Sequence, residues 1–269
     1  MHHQGKYTIL VHWLARYGAF SIGMVYVLVG VVALLSLMQV VDGGADEDSI
    51  IESFKNIPLG EIFIWLIIGG MFGYISWRIF EALTDPYRYG KSFRGIVKRT
   101  GIVLSALAYL VIAFSGIQVL LGLGSEDSGQ KEQQLIIAKV FEWNGGEFLV
   151  GGVIIGFTGL MEFKYVITGA YDPRMATENL SILKQRVINF LAWIGHFSRG
   201  ILLLIISYTF ILAAIQSDPK EAVNTDKAFN FIGEGIFGHP LFVIIAIGTI
   251  CYGLFMFTLG FFYQFKREI

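Results

Sequence analysis

Charge, proline and cysteine are all scarce in this chain. Charged residues make up 15% of it, against roughly 25% in an average soluble protein. Hydrophobic residues reach 55%, and the mean hydropathy is +0.63. That balance excludes a disordered chain and argues against a water-soluble domain. The net charge of −1 leaves no basic surplus to hold nucleic acid. The single cysteine, Cys251, lies inside an apolar run. It excludes a disulfide within the chain and any metal or cluster site built on several thiolates. No phosphate loop, His-Glu-x-x-His or Gly-x-Ser-x-Gly pattern occurs. The chain is therefore not expected to be an enzyme or to carry a cofactor. Paired carboxylates deep in an apolar run, a common mark of proton coupling, are absent too.

Long apolar runs are what the sequence has instead. A helix crossing a bilayer needs about 20 mostly apolar residues. Six stretches meet that length, at 17–40, 61–83, 101–123, 148–170, 190–214 and 240–263. Five prolines against 32 glycines and 23 phenylalanines suit such helices. The first run is too long for a signal peptide and ends in LSLMQVVDGG without a small-residue cleavage pattern. It reads as a retained span.

The connections alternate in charge. Lys6 and Arg16 precede the first run. Arg88, Lys91, Arg94, Lys98 and Arg99 lie in the second connection, Arg174, Lys184 and Arg186 in the fourth, and Lys266 and Arg267 in the tail. The first, third and fifth connections are acidic. Basic loops stay on the cytoplasmic side. The expected placement is the bacterial cytoplasmic (inner) membrane, with both termini cytoplasmic and three acidic loops outside.

The chain also repeats itself. Asp85–Pro86 and Asp172–Pro173 close the first two copies. IGGMFGY at 68–74 resembles IIGFTGL at 154–160 and AIGTICYG at 246–253, which aligns Gly70, Gly156 and Gly248. In the first helices Gly18, Gly101 and Gly195 correspond, and Tyr26 and Tyr109 follow eight residues later in their copies. The expected fold is all-α, a single domain over 1–269 with two-helix repeats at 13–88, 96–174 and 189–266. All three repeats run parallel, which suggests a pseudo-threefold bundle of six membrane helices. Each outer loop adds an amphipathic segment, through Ile50, Phe54 and Ile57, through Ile136, Val140 and Trp143, and through Ala228, Phe231 and Ile232. Asp48 or Ser49, Ser128 and Thr225 are their expected N-caps.

The run ARYGAFSIGMVYVLVGVVAL, the acidic loop, PLGE and the closing WRIFEALTDP resemble the bacterial membrane family catalogued as domain of unknown function 1206. The resemblance spans about residues 13–266. It implies three two-helix repeats and a membrane location, and it implies no activity. The family carries an Arg-Gly pair early in each first helix. Here the third copy has it as Arg199–Gly200, where the others have Ile22–Gly23 and Ser105–Ala106.

Ionisable groups within a span are candidate functional residues by default, because each costs about 2.5–3.5 kcal/mol at the bilayer centre. They are Arg78, Glu81, Glu162, Lys164, His196 and Arg199. Aligning Gly70 with Gly156 sets Arg78 opposite Lys164, with Met256 in the third copy. Both cations lie near an inner helix end, where snorkelling to the headgroups is the simpler reading. Arg199 lies deeper, roughly 13 Å in from Phe190 at 1.5 Å per residue. It is expected to pair with Glu162 or Glu81. His12 and His196 are the minimum for a bis-imidazole haem, but nothing around them favours one over polar anchoring. Gly69, Gly73, Gly152 and Gly156 have the four-residue spacing that lets helices approach closely. Gln118, Thr158 and Tyr109 are further polar groups at depth.

Two functions remain. One is a channel or binding cavity for an ion, small solute or lipid, with a positive inner mouth. The other is an accessory or scaffold subunit that docks on a larger membrane complex through its outer loops and helix faces. The expected partners are membrane lipid and a second membrane protein or another copy of the chain.

Overall fold

The computed structural model describes residues 3–38, 60–85, 89–121, 146–171, 175–178, 180–216, 225–234 and 238–263. The first two amphipathic segments, with Asp48, Ser49 and Ser128, lie outside these. Seven helices occur among the described residues. They are α1 (His3–Leu37), α2 (Gly60–Thr84), α3 (Phe93–Leu120), α4 (Gly146–Ile167), α5 (Ile182–Gln216), α6 (Thr225–Glu234) and α7 (Gly238–Phe262). There is no strand among them, only an isolated bridge between Met175 and Tyr263.

Six of the seven follow the apolar runs. Three begin well before the run does: α1 by 14 residues, and α3 and α5 by eight each. Apolar length marks only what must be dehydrated, whereas helix propagation continues as long as each residue adds a bond. Local chemistry sets the ends. The last turn of α4 closes on Gly169 at φ 62°, with bonds from Gly169 N to Val166 O and from Ala170 N to Tyr165 O. This is the paired capping of a Schellman motif. Helix α2 stops at Asp85, whose φ of 47° turns the chain. The Asp85 carboxylate accepts bonds from the backbone N–H groups of Tyr89 (2.7 Å) and Gly90 (2.8 Å).

Five helices contain stretches long and apolar enough to cross a membrane, at His12–Leu35, Ile64–Thr84, Leu149–Ile167, Ile182–Gln216 and Gly238–Phe262. The remaining long helix, α3, opens on Arg94, Lys98 and Arg99. Large apolar side chains cover the outer faces, among them Trp65, Leu66, Phe72 and Ile79 on α2. Such surfaces, with few polar groups between them, suit lipid and not water.

Helix α1 packs between α7 and α2, α2 continues to α3, and α5 packs between α4 and α7. Helices α3 and α4 barely touch among the described residues. Small residues allow the closest approaches. A Cβ at Gly18 would meet the backbone and Cβ of Tyr74, and a Cβ at Gly195 would meet those of Tyr252. In the same way Gly70 receives Ser21 and Gly248 receives Ser198. The first and third repeats therefore lock their two helices together through equivalent residues. The middle repeat does not, and a Cβ at Gly101 would meet nothing within 4 Å.

Helix α6 lies on α7 and α5 at one end of the bundle. Ala228, Phe229 and Ile232 form its buried face, against Phe242 and Val29. The expected face of Ala228, Phe231 and Ile232 is thus partly wrong: Phe231 is exposed and Phe229 fully buried. Three apolar residues at 228, 229 and 232 form an i, i+1, i+4 stripe that competes with i, i+3, i+4, and Phe242 selects it.

Candidate interior site

Arg199 projects from α5 into the bundle with its side chain 13% exposed. One of its Nη1 protons goes to Glu162 Oε1 on α4 at 2.6 Å, and another to the Tyr252 hydroxyl on α7 at 2.7 Å. Its Nε donates to the Tyr26 hydroxyl on α1 at 3.1 Å. The guanidinium carbon lies 4.8 Å from the ring centre of Tyr252, 5.3 Å from that of Tyr26 and 5.7 Å from that of Tyr109 on α3. Aromatic faces attract a cation at such distances, more strongly where water is excluded. No hydrogen bond among the described residues reaches Nη2.

The second oxygen of Glu162 is bonded to His196, with Oε2 and Nδ1 2.5 Å apart. An ionised carboxylate only accepts, so this bond calls for a hydrogen on His196 Nδ1. The His196 ring packs between Tyr165, Tyr252 and Phe255 at centroid distances of 5.0–5.3 Å. Two buried polar atoms have no hydrogen-bond partner among the described residues: His196 Nε2 and the Tyr109 hydroxyl. Buried polar groups are nearly always partnered, which sets these two atoms apart.

Arg78 and Glu81 form a second pair on α2. Arg78 donates to Glu81 Oε2 at 3.0 Å and to the Tyr74 hydroxyl at 2.8 Å. Glu81 is fully buried, and the Tyr89 hydroxyl lies 3.5 Å from its Oε1. Tyr74 then meets Tyr109 edge to face at 5.2 Å, which links this pair to the Arg199 cage.

The structure thus brings Glu162, His196 and Arg199 into one cluster and Arg78 and Glu81 into an adjoining one. Arg199 meets Glu162, and Glu81 is taken by Arg78. Lys164 belongs to neither and its side chain is exposed. Alignment alone had set it level with Arg78. The close-approach glycines also divide. A Cβ at Gly152 would stand 2.8 Å from Ile211 Cγ1, and one at Gly156 would stand 2.5 Å from Ser207 Oγ. Gly73 is in ordinary contact with Leu14, while Gly69 is exposed with only the Tyr17 hydroxyl, at 3.9 Å, within reach of a Cβ there. The tight position on α2 is Gly70, one residue on.

His12 meets the Tyr263 ring at a tilt of 50°, 5.5 Å between centroids, whereas His196 is held by Glu162. Among the described residues no group of three His, Cys, Asp or Glu could hold a metal ion. Thr158 bonds back to Ile154 O within its own helix. The side chain of Gln118 falls outside the described residues. Sequence reasoning missed Tyr252 and Tyr74. Both stand four residues after the aligned glycines Gly248 and Gly70, a correspondence that would have found them.

Comparison with known proteins gives the chain a family. The sequence pattern described as Domain of Unknown Function (DUF1206) matches it three times, over residues 17–85, 100–166 and 194–262. These stretches coincide with α1–α2, α3–α4 and α5–α7. The chain is similar to "Uncharacterized protein YxxB" of Bacillus subtilis (strain 168), with 26% identity over 266 residues that cover 95% of this chain and 94% of the relative. No solved structure matches. With three matches covering most of its length, the chain belongs to the DUF1206 family.

Proposed function

We propose that this protein is a six-span bundle of the bacterial inner membrane that holds a small solute in an interior site centred on Arg199, without catalysis. The observation that carries the reading is the convergence on one guanidinium of Tyr26, Tyr109, Glu162 and Tyr252, from four helices and all three repeats. A charge kept in the middle of a membrane bundle is costly. Structure alone would be better served by an apolar residue there, since replacing buried ion pairs by packed apolar groups is often stabilising.

A pseudo-threefold arrangement is supported by equivalent contacts between repeats. Arg16 Nε donates to Gly260 O at 2.8 Å, from the first repeat to the end of α7. Arg99 Nε donates to Ala82 O at 2.6 Å, from the second repeat to the end of α2. Arg16 and Arg99 each precede the aligned glycine (Gly18, Gly101) by two residues, and their acceptors each follow the aligned glycine (Gly248, Gly70) by twelve. Each arginine also satisfies last-turn carbonyls and sits at the negative end of a helix dipole.

A closed interior site fits better than an open channel, because Arg199 and the rings of Tyr26, Tyr109 and Tyr252 close the region where the helices converge. The positive-inside bias supports a cytoplasmic position for both termini. Membrane lipid is the expected neighbour of the apolar outer faces. Native mass spectrometry of the protein, extracted gently from its own membranes, tests the reading. A monomer or homo-oligomer that retains a small molecule supports it. A stoichiometric partner protein with no retained ligand would favour an accessory subunit instead.

A further inference from the structure

We propose that the Arg199 site takes a small monocarboxylate together with one proton, and that Glu162 with His196 receives the proton. The proposal rests on the interior-site reading above and names its ligand class and its coupling.

Around Glu162 the cluster holds Arg199 and His196 from α5, Tyr252 from α7, Tyr26 from α1, Tyr109 from α3, and Tyr74 and Arg78 from α2. Lys164 on its own helix is exposed. Arg78 is already paired with Glu81. Among the described residues, the single cation facing Glu162 and not otherwise neutralised is therefore Arg199, and the pair Arg199–Glu162 sums to zero. A guanidinium is a planar fork that binds carboxylates through two parallel N–H groups. Here Nη1 serves Glu162, and Nη2 is unused among the described residues. The rings of Tyr26, Tyr109 and Tyr252 surround the guanidinium at 4.8–5.7 Å, and the Tyr109 hydroxyl has no partner among the described residues.

A monoanion entering this site adds one uncompensated negative charge where the dielectric is low. The site can offset it with a single proton. His196 Nδ1 already points its hydrogen at Glu162 Oε2, which in a neutral ring leaves the lone pair on Nε2, an atom without a partner among the described residues. A proton arriving at Nε2 lets Nδ1 release its own to Oε2. The imidazole remains neutral and Glu162 becomes a carboxylic acid. Arg199 is then free to pair with the incoming carboxylate. The balance is one anion and one proton bound, with net charge unchanged. The sequence shows no paired carboxylates, but the structure supplies the same function with one carboxylate and an imidazole brought together across two helices.

The test uses the full chain in neutral-lipid nanodiscs, with benzoate and acetate as probes, above pH 6 where both are ionised. Calorimetry in buffers of different ionisation heat counts the protons taken up per anion, and needs no variant. The expected count is one, and the Kd rises about tenfold per pH unit. Glu162→Gln, which resembles the protonated acid, is expected to bind without proton uptake and with a flat pH profile. Arg199→Gln loses binding, and Lys164→Met leaves it unchanged. Binding with no proton taken up by the natural protein overturns the proposal and leaves the interior site standing. So does failure of both probes to bind a protein that retains another small molecule from its membranes. Failure of both probes with a stoichiometric partner in native mass spectra overturns the interior site as well.

Discussion

Gly195 and Tyr252 bring α5 and α7 into backbone contact: a Cβ at Gly195 would lie 2.5 Å from Tyr252 Cα. Tyr252 in turn holds Arg199, one turn further along α5. A backbone-level helix contact of the third repeat and the setting of its buried arginine are thus one construction. Gly195→Ala is expected to destabilise the protein by about 1–3 kcal/mol, the usual cost of overpacking a tight contact. Gly101→Ala is the control. It has the equivalent place in the second repeat, faces open space and adds helix propensity worth up to about 1 kcal/mol. Thermal unfolding of both variants in one detergent gives the comparison, with opposite signs expected.

Ser207 on α5 donates to the Gly152 carbonyl of α4 at 2.7 Å, both groups buried. Interhelical bonds of this kind contribute on average about 0.6 kcal/mol in membrane bundles. Ser207→Ala is therefore expected to lower stability by that order. A loss of several kcal/mol would mean that the hydroxyl does more than bridge two helices.

Arg78 and Lys164 occupy aligned positions but opposite environments. Arg78 reaches the fully buried Glu81, whereas Lys164 is exposed. Breaking a buried pair by removing one partner costs on the order of 3–5 kcal/mol. Arg78→Met should approach that loss, and Lys164→Met should fall within about 0.5 kcal/mol of the natural protein. Unfolding curves of the two variants decide the matter.

Span number can be read from parity. Six spans place both termini on one side of the membrane, and five place them on opposite sides. With six spans, tags on the N-terminus and the C-terminus are both expected to be shielded from an impermeant reagent in spheroplasts and both labelled after lysis. Labelling of one tag before lysis would show that α3 does not cross.

Most of the helices can be read directly from apolar length, and the runs at 61–83 and 240–263 differ from α2 and α7 by no more than two residues at either end. The start of α1 could not be read this way, because residues before the apolar run have no dehydration signature. Repeat alignment found Tyr26 and Tyr109 as equivalents but could not show that both face Arg199. That depends on rotation of α1 and α3 about their axes, which small-residue contacts elsewhere decide. Alignment also set Lys164 beside Arg78, since it registers depth along a helix and not which face a side chain takes. Symmetry was a guide to the frame and a poor guide to the site. The positions of Arg199, Glu162 and His196 are filled in the first repeat by Ile22, Ser76 and Ala19, so the charges occur in one place of three.

The central claim is that Arg199 and Glu162 neutralise each other inside the bundle, and a double-mutant cycle measures that coupling directly. Arg199→Met and Glu162→Met are each expected to lose about 3–5 kcal/mol by leaving a buried charge unpaired. The double variant should lose much less than the sum, because it removes both charges. Additive losses within about 0.5 kcal/mol would mean that the two residues act independently, and would contradict the account.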